Sequence, residues 1–293
     1  MKIFKLVLAI ILIFSCKTEK NNNKINEAYN NAFMAYTSEL AQNRINYLQL
    51  TGLFKLDSLN NSFGKDSVND FMLNIPQLPK TIGTITLLED GITFNASEDV
   101  LVKTKKDSII NSFRLNLNAY GSSIKLFHEQ LSWQVITRSG HHYLRVWDTK
   151  NPAIVAFKGY VPFRLSPKLI VKGKFTYYDT TKTEEVHSQL GVNASTEFIG
   201  KVEFLYNGEV HDLDVGEGGF TMVSDQTTGE TTYGGGRYIY LDLPDSNGPI
   251  TIDFNHLYNP PCAFSEFTTC LYPPRQNVLP FEVRAGETID LLN

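Results

Sequence analysis

A mainly β protein, built as an antiparallel sandwich or barrel-like sheet behind one N-terminal amphipathic helix, is predicted by three features of the sequence. Apolar residues recur at three- and four-residue steps between positions 27 and 50, the spacing of one helix face. Beyond position 50 the pattern changes to alternation, in short runs rich in Val, Ile, Thr, Phe and Tyr. Gly, Asn, Asp and Pro punctuate those runs, as turns between strands require.

The first 26 residues are set aside from the fold. Lys2 and Lys5 give a positive start, residues 6–14 are apolar, and Ser15 precedes Cys16. Nine apolar residues are too few for a membrane-crossing helix, which needs about 20. The segment Ile13-Phe14-Ser15-Cys16 resembles a bacterial lipobox. It predicts a signal peptide over 1–15, a lipid-modified Cys16 and a polar tether through residue 26. Lys17 stands where an inner-membrane retention aspartate would, so the expectation is an outer-membrane anchor in the cell envelope, with the membrane as partner.

The helix follows, with Tyr29, Phe33, Tyr36, Leu40 and Tyr47 on one stripe. Arg44 shares that stripe, and its stem is expected to lie along apolar surface. Strands are predicted over 81–88, 91–95, 100–104, 109–117, 124–128, 131–138, 143–147, 169–178, 198–206, 209–215, 220–224, 237–243, 250–255 and 279–284. Asn207-Gly208 has the composition of a two-residue hairpin turn, and residues 244–249 form a second turn. Residues 27–293 are read as one β-rich unit.

Composition narrows the function classes. Hydrophobic residues are 42%, charged residues 20% and the formal net charge is −4, which is neither disordered composition nor a basic nucleic-acid surface. Export would leave Cys262 and Cys270 in an oxidising compartment, where they pair as a disulfide or, alternatively, stay buried thiols or half of a metal site. No CxxC or HExxH spacing supports a metal. His141 and His142 are neighbours on a strand and face opposite ways. No Gly-x-Ser-x-Gly elbow is present, and no cofactor is indicated.

Polar residues gather in the last third. Asp225 opens a run that ends in Gly234-Gly235-Gly236-Arg237, where the glycine amides form either an anion-binding nest or a plain loop. Alternation through 250–255 would place Thr251, Asp253 and Asn255 on one face. Asn259 precedes two prolines, and Arg275 and Asn277 follow two more. Three readings of Asp225, Arg237, Asp253, Asn255, Asn259, Arg275 and Asn277 stand side by side. They line a cleft for a small polar ligand; or Asp253 is a general base and Arg237 stabilises negative charge in a hydrolase-like site; or they form a buried network supporting irregular loops of an envelope protein.

The run from Asp253 to Asn277, with Thr232-Tyr-Gly-Gly-Gly-Arg237 before it and Ala285-Gly-Glu287 after it, resembles the bacterial and archaeal family known as domain of unknown function 1684. The resemblance extends upstream through Gly52-Leu-Phe-Lys-Leu56, Asn61-Ser-Phe-Gly64 and Arg145-Val-Trp-Asp148. Where relatives often carry Cys-Pro-Leu-Pro-Pro, this chain has Cys270-Leu-Tyr-Pro-Pro274. The resemblance implies one co-folded unit and brings no activity or cofactor with it.

Overall fold

The computed structural model describes residues 25–189, 191 and 193–289. Cys16 and most of the expected tether lie outside them. The chain is mainly β, 44% strand and 16% helical, with no closed barrel among the described residues.

Helix α1 (Glu27–Leu48) begins where Asn26 is extended and its side-chain oxygen accepts the Tyr29 N–H at 2.8 Å, filling one of the donors that a helix start leaves free. It ends at Leu48, and the chain passes directly into a strand. Eleven strands follow: β1 (Leu50–Lys55), β2 (Asn60–Gly64), β3 (Phe71–Met72), β4 (Gly83–Leu88), β5 (Gly91–Ala96), β6 (Val102–Thr104), β7 (Ile109–Ile110), β8 (Ser112–Arg114), β9 (Leu126–His128), β10 (Leu131–Arg138) and β11 (His141–Asp148). They form a six-stranded sheet, β1-β11-β10-β9-β6-β7, and a five-stranded sheet, β3-β2-β4-β5-β8. All pairs but β2–β3 are antiparallel among the described strands. The sheets share one core, in which the rings of Phe63 and Phe94 each lie 5.3 Å from Trp133.

This sandwich has two differently used outer surfaces because side chains alternate along a strand. On β11, Leu144 and Val146 enter the core, so Tyr143, Arg145 and Trp147 point the other way. Ser139 and Gly140 turn β10 into β11 with positive φ at both positions. His141 and His142 therefore open β11, and His142 shares a hydrogen bond of 2.9 Å with Thr137.

A short helix α2 (Pro152–Ala156) leads into the second half, which contains β12 (Ile170–His187), β13 (Asn193–Tyr206), β14 (Glu209–Gly216), β15 (Phe220–Val223), β16 (Arg237–Tyr240) and β17 (Gly248–Asp253). One sheet runs β14-β13-β12-β17, and β15 and β16 form a separate hairpin. A second core of Phe175, Val202, Phe204, Val215, Ile239, Ile252 and their neighbours joins them. Asn207 and Gly208 have φ of 53° and 87°, the positive values that the tight hairpin turn needs.

Two departures from the sequence reading have physical causes. Strands β12 and β13 run far beyond the predicted 169–178 and 198–206, because their distal half is largely solvent-facing and carries no apolar alternation. Conversely, 279–284 is not a strand. Val283 N–H donates to Asp225 at 3.0 Å and Val283 C=O accepts from Arg237 at 2.9 Å, so side chains satisfy backbone that a neighbouring strand would otherwise pair.

Candidate functional site

Helix α1 packs chiefly on the second half, although the sandwich is the part that follows it in sequence. Tyr29 O–H donates to Asp253 at 2.7 Å, Tyr36 O–H donates to the His256 carbonyl at 2.7 Å, and Phe33 is buried against His256 and Tyr160. Further along, Arg44 makes a two-pronged ion pair with Glu287, both contacts at 2.5 Å, while its guanidinium carbon sits 4.3 Å from the Phe264 ring centroid. The arginine expected to lay its stem along apolar surface is thus also a buried charge with a carboxylate partner.

The lower part of α1, where Leu40, Asn43 and Tyr47 share a face, forms one wall of a cleft of about 660 Å³. The opposite wall is aromatic. Tyr238 and Tyr258 exchange backbone hydrogen bonds of 2.9 Å in both directions and cross edge to face at 6.1 Å. Phe220 packs at 4.9 Å from Tyr238 and 5.4 Å from Tyr240. Five of the fourteen tyrosines, Tyr36, Tyr47, Tyr238, Tyr240 and Tyr258, line this one space.

Asp253 and His256 stand at its rim. The sequence placed Asp253 and Asn255 on one face of a continuing strand; instead β17 stops at Asp253 and a 3-10 turn covers Phe254–His256. Asp253 caps that turn, accepting from the Asn255 N–H at 3.1 Å and the Asn255 amide at 2.8 Å. The other carboxylate oxygen lies 3.2 Å from His256 Nδ1. Burial raises the Asp253 carboxyl, but hydrogen bonds from His256, Tyr29 and Asn255 outweigh it, and the net shift is below the ordinary carboxylate value. Burial, and then the bond to Asp253, push the Tyr29 hydroxyl up.

Of the seven residues singled out from the sequence, Asp253 and Asn259 line this cleft. Asn259 is held by its N–H to Glu287 at 2.7 Å and its amide to Thr288 C=O at 2.9 Å, while its side-chain oxygen is buried with no hydrogen-bond partner among the described residues. The rest are elsewhere. Arg237 is fully buried, paired with Asp225 at 2.8 Å and donating to the carbonyls of Ala285, Val283 and Glu287. Asp225 also accepts from Thr227 and Val283 N–H. Asn255 clamps Ser166 N–H and C=O, and Asn277 ties Asp214 in β14 to Met222 in β15. Arg275 is exposed.

The glycine run does not form a nest. Gly236 N–H donates to Tyr233 C=O. A Cβ on Gly236 would meet Pro273 and the Val223 carbonyl at 2.5 and 2.8 Å, and one on Gly235 the Tyr233 ring at 2.5 Å, so these two glycines serve close packing, while Gly234 is exposed. Cys262 and Cys270 are placed at disulfide distance, with Cα atoms 6.0 Å apart. Sequence reasoning missed His256, Tyr258 and Glu287 as site residues although all three sit inside the motifs quoted above. The concentration of tyrosines on α1 and through 238–258 was the available signal.

Fold and cleft together define a β-rich protein with two large cores and a small third cluster around Phe198, Met222 and Tyr238, whose N-terminal helix closes an aromatic cleft on the C-terminal half. The chain belongs to the family described as Protein of unknown function (DUF1684), with residues 155–288 matched. That span holds all seven residues singled out above. The solution NMR structure of an uncharacterized protein of Haloarcula marismortui is 30% identical over 47% of this chain and 80% of that one, at a TM-score of 0.40. No curated protein matches the chain.

Proposed function

We propose that this protein is a lipid-anchored binding module of the cell envelope that takes a small polar ligand into the cleft between α1 and the C-terminal half. The observation that carries the reading is the makeup of that cleft. Tyrosine rings offer flat faces, and Asp253 supplies a carboxylate at the rim, so a molecule rich in hydroxyl or ammonium donors, with a face to stack, fits its chemistry. Arg44 is neutralised by Glu287 and adds no free positive charge. The lipobox-like segment ending at Cys16 supports the anchor.

The test is the melting temperature of the full chain in mild detergent across panels of sugars, amines and small acids. A compound at about 100 times its dissociation constant adds about 2.7 kcal/mol. The expected hit is a polyol or amine whose shift disappears in Asp253→Asn and Tyr258→Ala. No shift by any such compound, or an equal shift in both variants, rejects the reading. Labelled fatty acid should enter the parent and not Cys16→Ala.

One observation favours a second, catalytic reading. With Nδ1 facing Asp253, His256 presents Nε2 with no hydrogen-bond partner among the described residues, the arrangement of an oriented general base. Turnover of an ester or phosphate panel that is lost in His256→Gln would support it. Arg237, buried behind the Asp225 pair, takes no part in this version of the site.

A further inference from the structure

Beside the tyrosine cleft lies a second cavity of about 360 Å³, on the outer face of the six-stranded sheet. Tyr47, Tyr238 and Pro261 line both and form the partition between them. The floor of the second cavity comes from β11, whose outward residues Arg145 and Trp147 are part of its lining, and its far side comes from Thr268 and Thr269 in the disulfide-closed loop. Lys125 lies just ahead of β9 and places its ammonium 3.6 Å from the Trp147 ring centroid.

Two cations therefore share a small space without a carboxylate. The Arg145 side chain makes no hydrogen bond to another described residue, and its Nε is buried and unpartnered. Burial, and then the nearby Arg138, bring the Arg145 guanidinium down to about 10. Burial and Arg145 lower the Lys125 ammonium. The two fully buried arginines among the described residues are both matched, Arg44 by Glu287 and Arg237 by Asp225, whereas Arg145 is only partly exposed and has no such partner. A desolvated guanidinium beside another cation is unfavourable until an anion joins it, and its planar fork suits two oxygens of one group.

We propose that Arg145 and Lys125 form a binding site for an oxyanion, a phosphate or carboxylate carried on a small organic molecule, with Trp147 as the surface against which that molecule packs. Thr269 of the disulfide loop adds a hydroxyl to the lining, while the Thr268 hydroxyl is already bonded within the loop. The site is chemically opposite to its neighbour, where Asp253 and the tyrosine rings favour donors and positive charge. It stands whether or not the neighbouring cleft holds a ligand.

Trp147 reports on the site directly, since Trp133, the other tryptophan of the chain, is in the sandwich core. The experiment titrates the full chain in detergent with inorganic phosphate and, in a parallel arm, benzoate, each against chloride at matched ionic strength. Tryptophan emission is followed, and heat of binding is measured beside it. The expected result is a saturable change with either oxyanion, absent in Arg145→Gln and about tenfold weaker in Lys125→Gln, as loss of a charge-assisted hydrogen bond implies. In Trp147→Phe the emission change should vanish while heat of binding remains. Saturation with benzoate alone would assign the site to carboxylates, and with phosphate alone to phosphate esters. A linear response, or a saturable one unchanged in Arg145→Gln, overturns the proposal. Melting in chloride supplies the remaining arm: Arg145→Gln should melt at or above the parent temperature. If it melts far lower and Lys125→Gln binds phosphate like the parent, Arg145 serves the fold and the site does not exist.

Discussion

Arg44 of helix α1 and Glu287 meet in a two-pronged, almost fully buried ion pair, each contact 2.5 Å long. Glu287 also accepts the Asn259 N–H at 2.7 Å, so one carboxylate joins the helix to the loop that lines the cleft. Removing either partner strands the other charge away from water, at a cost of about 3–5 kcal/mol. Arg44→Ala and Glu287→Ala should each show that loss in denaturant titrations. The paired replacement Arg44→Met with Glu287→Leu should be markedly less destabilised than the sum of the singles, since it leaves no orphaned charge.

Arg237 and Arg275 were both candidates from the sequence, and the structure separates them. Arg237→Ala leaves Asp225 unpaired and three carbonyl groups without their donor, so a loss of about 3–5 kcal/mol is expected. Arg275 is exposed, and Arg275→Ala should stay within about 0.5 kcal/mol of the parent. Thermal and chemical unfolding of the two variants checks the contrast.

Asp253 gives stability a pH dependence of known sign. Its folded-state carboxyl lies below the ordinary value, so the folded state binds its proton less readily than the unfolded chain does. The contribution is complete above the ordinary carboxylate pKa and fades as pH falls through the folded-state value. The parent should exceed Asp253→Asn in unfolding free energy at neutral pH, with the gap narrowing on acidification below about pH 4. A gap that is constant with pH would show that charge is not involved.

The disulfide closes a loop with a sequence separation of 8 between Cys262 and Cys270. Chain entropy gives it about 2–3 kcal/mol. Reduction should lower stability by that amount and raise hydrogen exchange through Thr268 and Thr269 first, because that loop has little regular structure of its own.

Gly286 has φ of 72°, and a Cβ there would lie 2.5 Å from the Leu257 carbonyl. That same carbonyl accepts the Glu287 N–H at 2.8 Å and the Tyr160 hydroxyl at 2.9 Å. Gly286→Ala should therefore cost at least about 1 kcal/mol and displace Glu287 from Arg44. Unfolding measurements on Gly286→Ala in the parent and in the Arg44→Met, Glu287→Leu background would show whether the two effects couple.

Helix α1 was legible because its aromatic residues keep the 3.6-residue period, and the Asn207-Gly208 turn because few sequences tolerate two consecutive positive φ values. The outer half of the β12–β13 hairpin was not, since a strand with two wet faces carries no alternation to read. The Asp253-to-Asn255 stretch misled for a local reason: the alternation of apolar residues continued while the Asp253 side chain bent the backbone into a turn. Asp225, Arg237, Asn255 and Asn277 stood out as polar residues in an irregular region. Burial decides whether such groups face a ligand or one another, and their partners, such as Val283 C=O and Met222 C=O, are backbone atoms with no signature in sequence. The tyrosine cleft was hidden because its walls lie far apart along the chain and meet only in three dimensions.

That last property bears on how the molecule is made. Arg44 and Glu287 are 243 positions apart, which at a synthesis rate of about 5–20 residues per second is a wait of about 12–50 s. Once β11 has been made, the sandwich of β1 to β11 has all of its own core in hand, while α1 still waits for Asp253, His256 and Glu287. The aromatic stripe of the helix is then a sticky, solvent-exposed face, and a holdase or a neighbouring chain competes for it until residue 287 arrives. The seat of α1 on the C-terminal half is consequently completed late, and a product stalled before residue 253 would lack it.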